Sequence, residues 1–225
     1  AEKYNIEILE ETLTAEQEMK LSAKESQFIA TKFASKYFEE TLWNTTEGKT
    51  IGLSYFKERG FSDEIIKKFK LGYSPKKQKS FEQAALKAGY DENILLESSL
   101  IGKNDDGKIY DKFRERTIFP IHSYSGKIIG FGGRSFNPEA KSKYLNSGET
   151  LIYDKSKVLY ALDLSKQSIS KENKCYIVEG YTDVISMYQN GVKNVVSASG
   201  TALGVFQINL IKRSTNNVVL LFDSD

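Results

Sequence analysis

The sequence predicts an α/β protein in which a mixed α+β amino-terminal part precedes a parallel βαβαβ sheet. Three observations carry this. Helical periodicity dominates to about residue 100, strand-forming residues take over from Ile109, and from Lys174 short apolar runs alternate with helical segments. Continuous apolar strands between helices fit a parallel sheet covered on both faces.

Residues 22–43 place Phe28, Ile29, Phe33, Tyr37, Phe38 and Leu42 at steps that suit an amphipathic helix. Gly48 and Gly52 are expected to break it. Leu53 to Arg59 reads as a second helix ending at Gly60, and Ser62 as the N-cap of a third, Asp63 to Lys70, with acids first and lysines last. Ser80-Phe81-Glu82-Gln83 has the pattern of a capping box whose helix stops at Gly89, and Asp91 can cap another through Leu96. Phe113, Ile118, Phe119 and Ile121, the turn Ser125-Gly126-Lys127, and Ile128 to Phe131 suggest paired strands. Cys175–Val178, Asn194–Ala198 and Asn217–Phe222 then read as strands, joined by helices Thr182–Gln189 and Ala202–Arg213.

The 225 residues, 40% apolar and without a run long enough to cross a bilayer, suffice for one large or two small domains. A formal charge of +2 does not by itself identify a nucleic-acid binder. Cys175 is the only cysteine, which excludes a disulfide or a cysteine zinc site within these residues and fits a reducing cytoplasm. Ala1-Glu2-Lys3-Tyr4 does not resemble a secretory signal. No Walker loop and no G-x-G-x-x-G occurs, so a triphosphate would be held by metal and basic side chains.

Glu179 follows the first strand of the parallel unit and Asp183 lies four residues on, while Asp223 and Asp225 follow the third. Ligands bind beyond the carboxyl ends of such strands, and hard oxygen donors without histidine or thiolate suit Mg²⁺ or Mn²⁺. Solvated loop acids are the plainer alternative. Ser199-Gly200-Thr201 is a turn that either approaches a phosphate or only caps a helix. Lys67, Lys68, Lys70, Lys76, Lys77 and Lys79 fall in an acid-free window, Ile65 to Phe81, with Phe69 and Tyr73 as stacking or core residues. Strand alternation would align Lys112, Arg114 and Arg116 on one face. His122 has no partner at metal spacing and reads as structural.

Ile177 to Ile185, Ser199-Gly200-Thr201 and Phe222-Asp223-Ser224-Asp225 resemble the Toprim motifs of bacterial DnaG-type primases. Lys112 to Ile121, Gly130 to Arg134 and Lys143 to Thr150 resemble the same family upstream, so the likeness covers roughly residues 50 to 225. Gly148 stands where the family more often has proline, and Ser224 where it more often has glycine.

The resemblance implies a helical part (1–108), a basic β-containing part lining a template and nucleotide groove (109–172), and the first half of a Toprim sheet (173–225). It implies RNA primer synthesis from NTPs on a single-stranded DNA template, two divalent ions held by Glu179, Asp223 and Asp225 with Asp183 nearby, and Glu179 as a general base. Lys68, Lys112 and Arg114 are implied on the template or phosphates, with Arg116 extending their row and Tyr144 either stacking or packing. Arg134, Lys143, Asn146 and Lys155 are implied near the incoming nucleotide. A second acidic pair, a zinc-binding amino-terminal domain and a helicase-binding carboxy-terminal domain are implied outside these residues, together with an RNA–DNA primer duplex as product. The rivals are a Toprim nuclease or topoisomerase, and a fragment that only binds single-stranded DNA.

Overall fold

A computed structural model describes residues 15–140, 142–198, 200 and 202–222. The first helix, α1 (Ala15–Asn44), buries Ala30, Ala34, Phe38 and Leu42, a row four residues apart along one face. The two alanines let strands approach closely. Ile29, expected on that face, is instead exposed. The glycines at 48 and 52 do not open a loop: Gly48–Leu53 forms a π-helical turn running directly into α2 (Ser54–Glu58). A β-carbon at Gly48 would lie 2.0 Å from the Thr41 carbonyl oxygen, so close approach is what demands glycine there.

The third helix, α3 (Asp63–Lys68), opens as expected, with the Ser62 hydroxyl accepting from the Ile65 N–H at 3.2 Å. It ends two residues early because Lys70 turns left-handed and Leu71 bonds back to Ile66. That turn launches β1 (Gly72–Ser74), a strand hidden in sequence because it is only three residues long.

The next two helices are α4 (Ser80–Lys87) and α5 (Glu92–Glu97). Asp91 caps α5 as expected, but α4 is not capped by Ser80, whose hydroxyl bonds Tyr37. Buried Asp111 accepts from the Phe81 and Glu82 N–H groups, each at 2.9 Å, so the anion at this helix start comes from 30 residues away. Asp111→Ala is expected to destabilise the protein by about 2 kcal/mol, read as a lower urea midpoint with unchanged slope.

A hairpin of β2 (Ile101–Lys103) and β3 (Ile109–Asp111) follows, and then the long strands β4 (Arg116–His122) and β5 (Ile128–Ser135) with the short β6 (Tyr144–Asn146). The antiparallel order is β1-β4-β5-β6. Ile118 packs with α1, α4 and α5 on one face, and Phe119 with Phe56, Phe69 and Tyr181 on the other. β1, from the mainly helical part, pairs with β4 of the part that follows.

After α6 (Leu162–Glu172), which the sequence reading missed, the parallel sheet forms from β7 (Cys175–Val178), β8 (Val195–Ser197) and β9 (Val218–Leu221) in the order β8-β7-β9. It is linked by α7 (Tyr181–Gln189) and α8 (Val205–Lys212). The expected alternation is present. Complete covering is not: β7 and β8 are largely buried, whereas Val218, Leu220 and Leu221 of β9 are exposed among the described residues. No described helix is long and apolar enough to cross a membrane.

Candidate active site

Parallel pairing puts the carboxyl ends of the three strands at one edge. Val178 is in register with Ser197 on one side and Leu221 on the other, so the segments leaving β7, β8 and β9 emerge at one end of the sheet. Glu179 is exposed there, and its carbonyl accepts from the Ser197 hydroxyl at 2.6 Å. Asp183 sits one helical turn later, with Oδ2 accepting from the Gly180 N–H at 2.9 Å. This bond makes Asp183 a brace of the helix start as well as a candidate ligand. Asp223 and Asp225, and with them Ser199 and Thr201, lie outside the described residues. Glu179 and Asp183 are hard oxygen donors of the type Mg²⁺ or Mn²⁺ prefers, and buried Cys175 is at the opposite end of β7, while the described residues alone contain no group of three or more metal-binding side chains.

Two residues beyond Glu179, Tyr181 ties this edge to the antiparallel sheet. Its ring stacks on Phe119 with centroids 5.1 Å apart and meets Tyr160 edge-on at 4.7 Å. Gly132 makes room, since a β-carbon there would be 2.4 Å from the ring. The phenol donates to Asn146 Oδ1 at 2.7 Å, and Asn146 is the strand partner of Gly132. The carbonyl side of the Asn146 amide is thereby fixed toward Tyr181. Sequence reasoning missed this junction, although Tyr181 lies inside the acidic motif and Gly132 inside a run of glycines.

The basic candidates take several different environments. Arg134, paired with Tyr144 across the strands, lies against both the Tyr55 and Phe136 rings, at 4.3 and 4.9 Å, and its buried Nε has no hydrogen-bond partner among the described residues. Tyr144 and Lys143 are exposed beside it. Lys155 opens a short 3₁₀ turn held at both backbone groups, its N–H on Glu149 Oε1 and its carbonyl on Gln207 Nε2.

The expected cationic row is not formed. Residues 112–115 make a turn with Glu115 at φ +57°, so strand alternation does not apply. Arg116 is buried and donates to the carbonyls of Gly133, Ser142 and Lys143, which makes it a brace of the sheet. Lys112 is half-buried, donates to Ser99 Oγ, and is pushed below the usual lysine range by burial. The same Ser99 oxygen accepts from the Gly148 N–H at 2.8 Å. A proline at 148 would lack that donor. Arg114 alone of the row is exposed.

The lysine window contains no acid, yet the fold supplies them: Lys76 pairs with Glu115 at 3.5 Å and Lys79 with Glu82 at 3.2 Å. Lys67 lies over Trp43 and Lys68 over Tyr188, at 5.1 and 5.5 Å. Phe69 and Tyr73 are buried core, so neither is available for stacking on a nucleic acid. His122 is structural as expected: it sits 4.0 Å from Asp163, and burial holds its imidazole below the usual range despite that carboxylate.

The parallel βαβαβ sheet is of the Toprim class, since residues 176–225 match the Toprim-like family. Residues 37–166 match the family described as DNA primase catalytic core, N-terminal domain. The chain is 38% identical over 191 residues to a DNA primase of Legionella pneumophila, an alignment covering 85% of this chain and 32% of that protein. It matches the crystal structure of the RNA polymerase domain of Mycobacterium tuberculosis primase DnaG with a TM-score of 0.83 and 30% identity, covering 90% of this chain and 67% of that one. A structure of the DnaG primase catalytic domain bound to ssDNA gives a TM-score of 0.81 at 31% identity, with 91% and 65% covered. The chain belongs to the DnaG-type bacterial DNA primase catalytic-core family. It spans about a third of the length of the curated relatives it matches.

Proposed function

We propose that this chain carries the catalytic core of an enzyme that makes short RNA primers, joining ribonucleoside triphosphates on a single-stranded DNA template with release of pyrophosphate. The observation that carries the reading is the Tyr181–Asn146 bond, which couples the acidic edge to the basic β5–β6 platform. Two divalent ions, Mg²⁺ or Mn²⁺, bound by Glu179, Asp183, Asp223 and Asp225, would lower the pKa of the primer 3′-hydroxyl and offset charge on the phosphates.

The chain's own groups supply position. Arg134 offers a planar fork for phosphate oxygens, Lys143 and Lys155 offer point charges, and Asn146 presents an amide whose orientation Tyr181 sets. Glu179 is exposed at the edge, where a carboxylate can take the proton of the attacking hydroxyl. Lys68 and Arg114, with Tyr144 as an exposed ring, hold the template. Arg116 supports these groups from beneath, and Lys112 orders the 148 loop beside them. The helicase contact and zinc site belong to other parts of the full-length protein.

Lys68→Ala in the full-length protein is expected to weaken template binding and flatten the salt dependence of log Kd by about 0.7, one lost single-strand phosphate contact. Fluorescence anisotropy across a salt series reads both. The reading as a whole is tested by incubating the full-length protein with single-stranded DNA, NTPs and Mg²⁺. Template-dependent RNA products are expected. DNA cleavage or relaxation of supercoiled DNA without RNA synthesis would instead indicate a nuclease or topoisomerase, and template binding with no product would indicate a binding protein.

A further inference from the structure

A second cationic cleft lies on the far side of the 112–115 turn, between that turn, the segment before α4 and the β2–β3 hairpin. Lys79, Asn104, Lys108, Tyr110, Asp111 and Arg114 line it. We infer that this cleft is a track for a single-stranded polynucleotide, with Tyr110 stacking on a base and Lys108 and Arg114 contacting phosphates. The inference rests on the primase reading and deepens it, by giving the strand a path beyond Lys68 and the β5–β6 platform.

The charge is available for a ligand. Lys108 and Arg114 have no carboxylate within 4.0 Å among the described residues. Asp111, the acid in the lining, is turned into the helix start, where both oxygens accept N–H groups. Glu115 in the same turn is paired with Lys76. The acids at the hairpin tip, Asp105 and Asp106, are not part of the lining.

The geometry is built as well. Tyr110 faces Gly102 across the hairpin, and its ring lies so close that a β-carbon at Gly102 would come within 2.4 Å of it. Glycine therefore provides a flat bed for a ring that is 48% exposed, leaving aromatic surface outward. Asn104 fixes the tip, its N–H donating to the Lys108 carbonyl at 3.0 Å and its side-chain oxygen accepting from the Lys108 N–H at 2.7 Å. Gly107 permits the turn at φ +77°. Cations from the hairpin and from the 112–115 turn beside one exposed ring suit a strand's repeating phosphates and stackable bases, whereas base-specific hydrogen-bonding groups are few.

The test uses the full-length protein and a fluorescein-labelled oligothymidylate, with melting temperatures confirming that each variant folds. Tyr110→Ala is expected to weaken binding by about tenfold, and Tyr110→Phe to retain it. Gly102→Ala, which keeps the ring but displaces it, is expected to weaken binding as well. Lys108→Ala is expected to reduce the salt slope by about 0.7. Wild-type binding that none of these variants alters would overturn the track while leaving the primase reading standing. So would displacement of the oligonucleotide by free ATP in wild type but not in Tyr110→Ala, since that marks a mononucleotide pocket. Failure of the wild-type protein to bind single-stranded DNA would overturn both.

Discussion

Replacing Glu179 with glutamine in the full-length protein is expected to reduce primer synthesis by about 10³-fold or more, with template affinity unchanged. The substitution preserves size and one acceptor oxygen while removing the negative charge and the ability to take a proton. Glu179 is solvent-exposed, its backbone is anchored by Ser197, and glutamine is isosteric with it. The loss therefore falls on chemistry. The cations proposed for template contact lie elsewhere, on α3, in the 112–115 turn and on the β2–β3 hairpin. Parallel measurement of nucleotide incorporation and template anisotropy checks both halves, and wild-type synthesis in this variant would remove Glu179 from the mechanism.

Tyr181→Ala is expected to be the most damaging change outside the acids. The ring is 4% exposed, stacked on Phe119 and seated over Gly132, so truncation leaves a cavity where the two sheets meet. Loss of a buried aromatic of this size costs about 3–5 kcal/mol, visible as a lower thermal or urea midpoint. Tyr181→Phe isolates the polar contact. It keeps the packing and removes only the donor to Asn146. That variant is expected to lose about 1 kcal/mol of stability and to raise the KM for NTPs, because the amide is no longer held in one orientation. An unchanged KM with a folded protein would show that the junction is structural only.

The parallel unit was legible because buried strands need uninterrupted apolar runs, and Cys175–Val178 is such a run, with Val195-Val196 a shorter one. Position in a βαβαβ unit then put Glu179 at the sheet's carboxyl end from sequence alone. What escaped depended on distant partners. The Asp111 cap, the pairing of Lys76 with Glu115, and the burial of Arg116 among three carbonyls all join residues that no local pattern connects. β1 is too short for alternation to register, and the turn at 112–115 reverses the facing that a strand would have given. Tyr181 was read only as part of a motif, because its value lies in contacts with Gly132 and Asn146 that appear once the sheets are packed.

The central claim is that the edge carrying Glu179 holds a divalent ion for nucleotidyl transfer. It is tested most directly by titrating the full-length protein with Mn²⁺ and following the free ion by electron paramagnetic resonance. Wild-type protein is expected to deplete the free-ion signal, with Glu179→Gln leaving substantially more Mn²⁺ in solution although it remains folded and binds template normally. Equal depletion by the two proteins would contradict the claim.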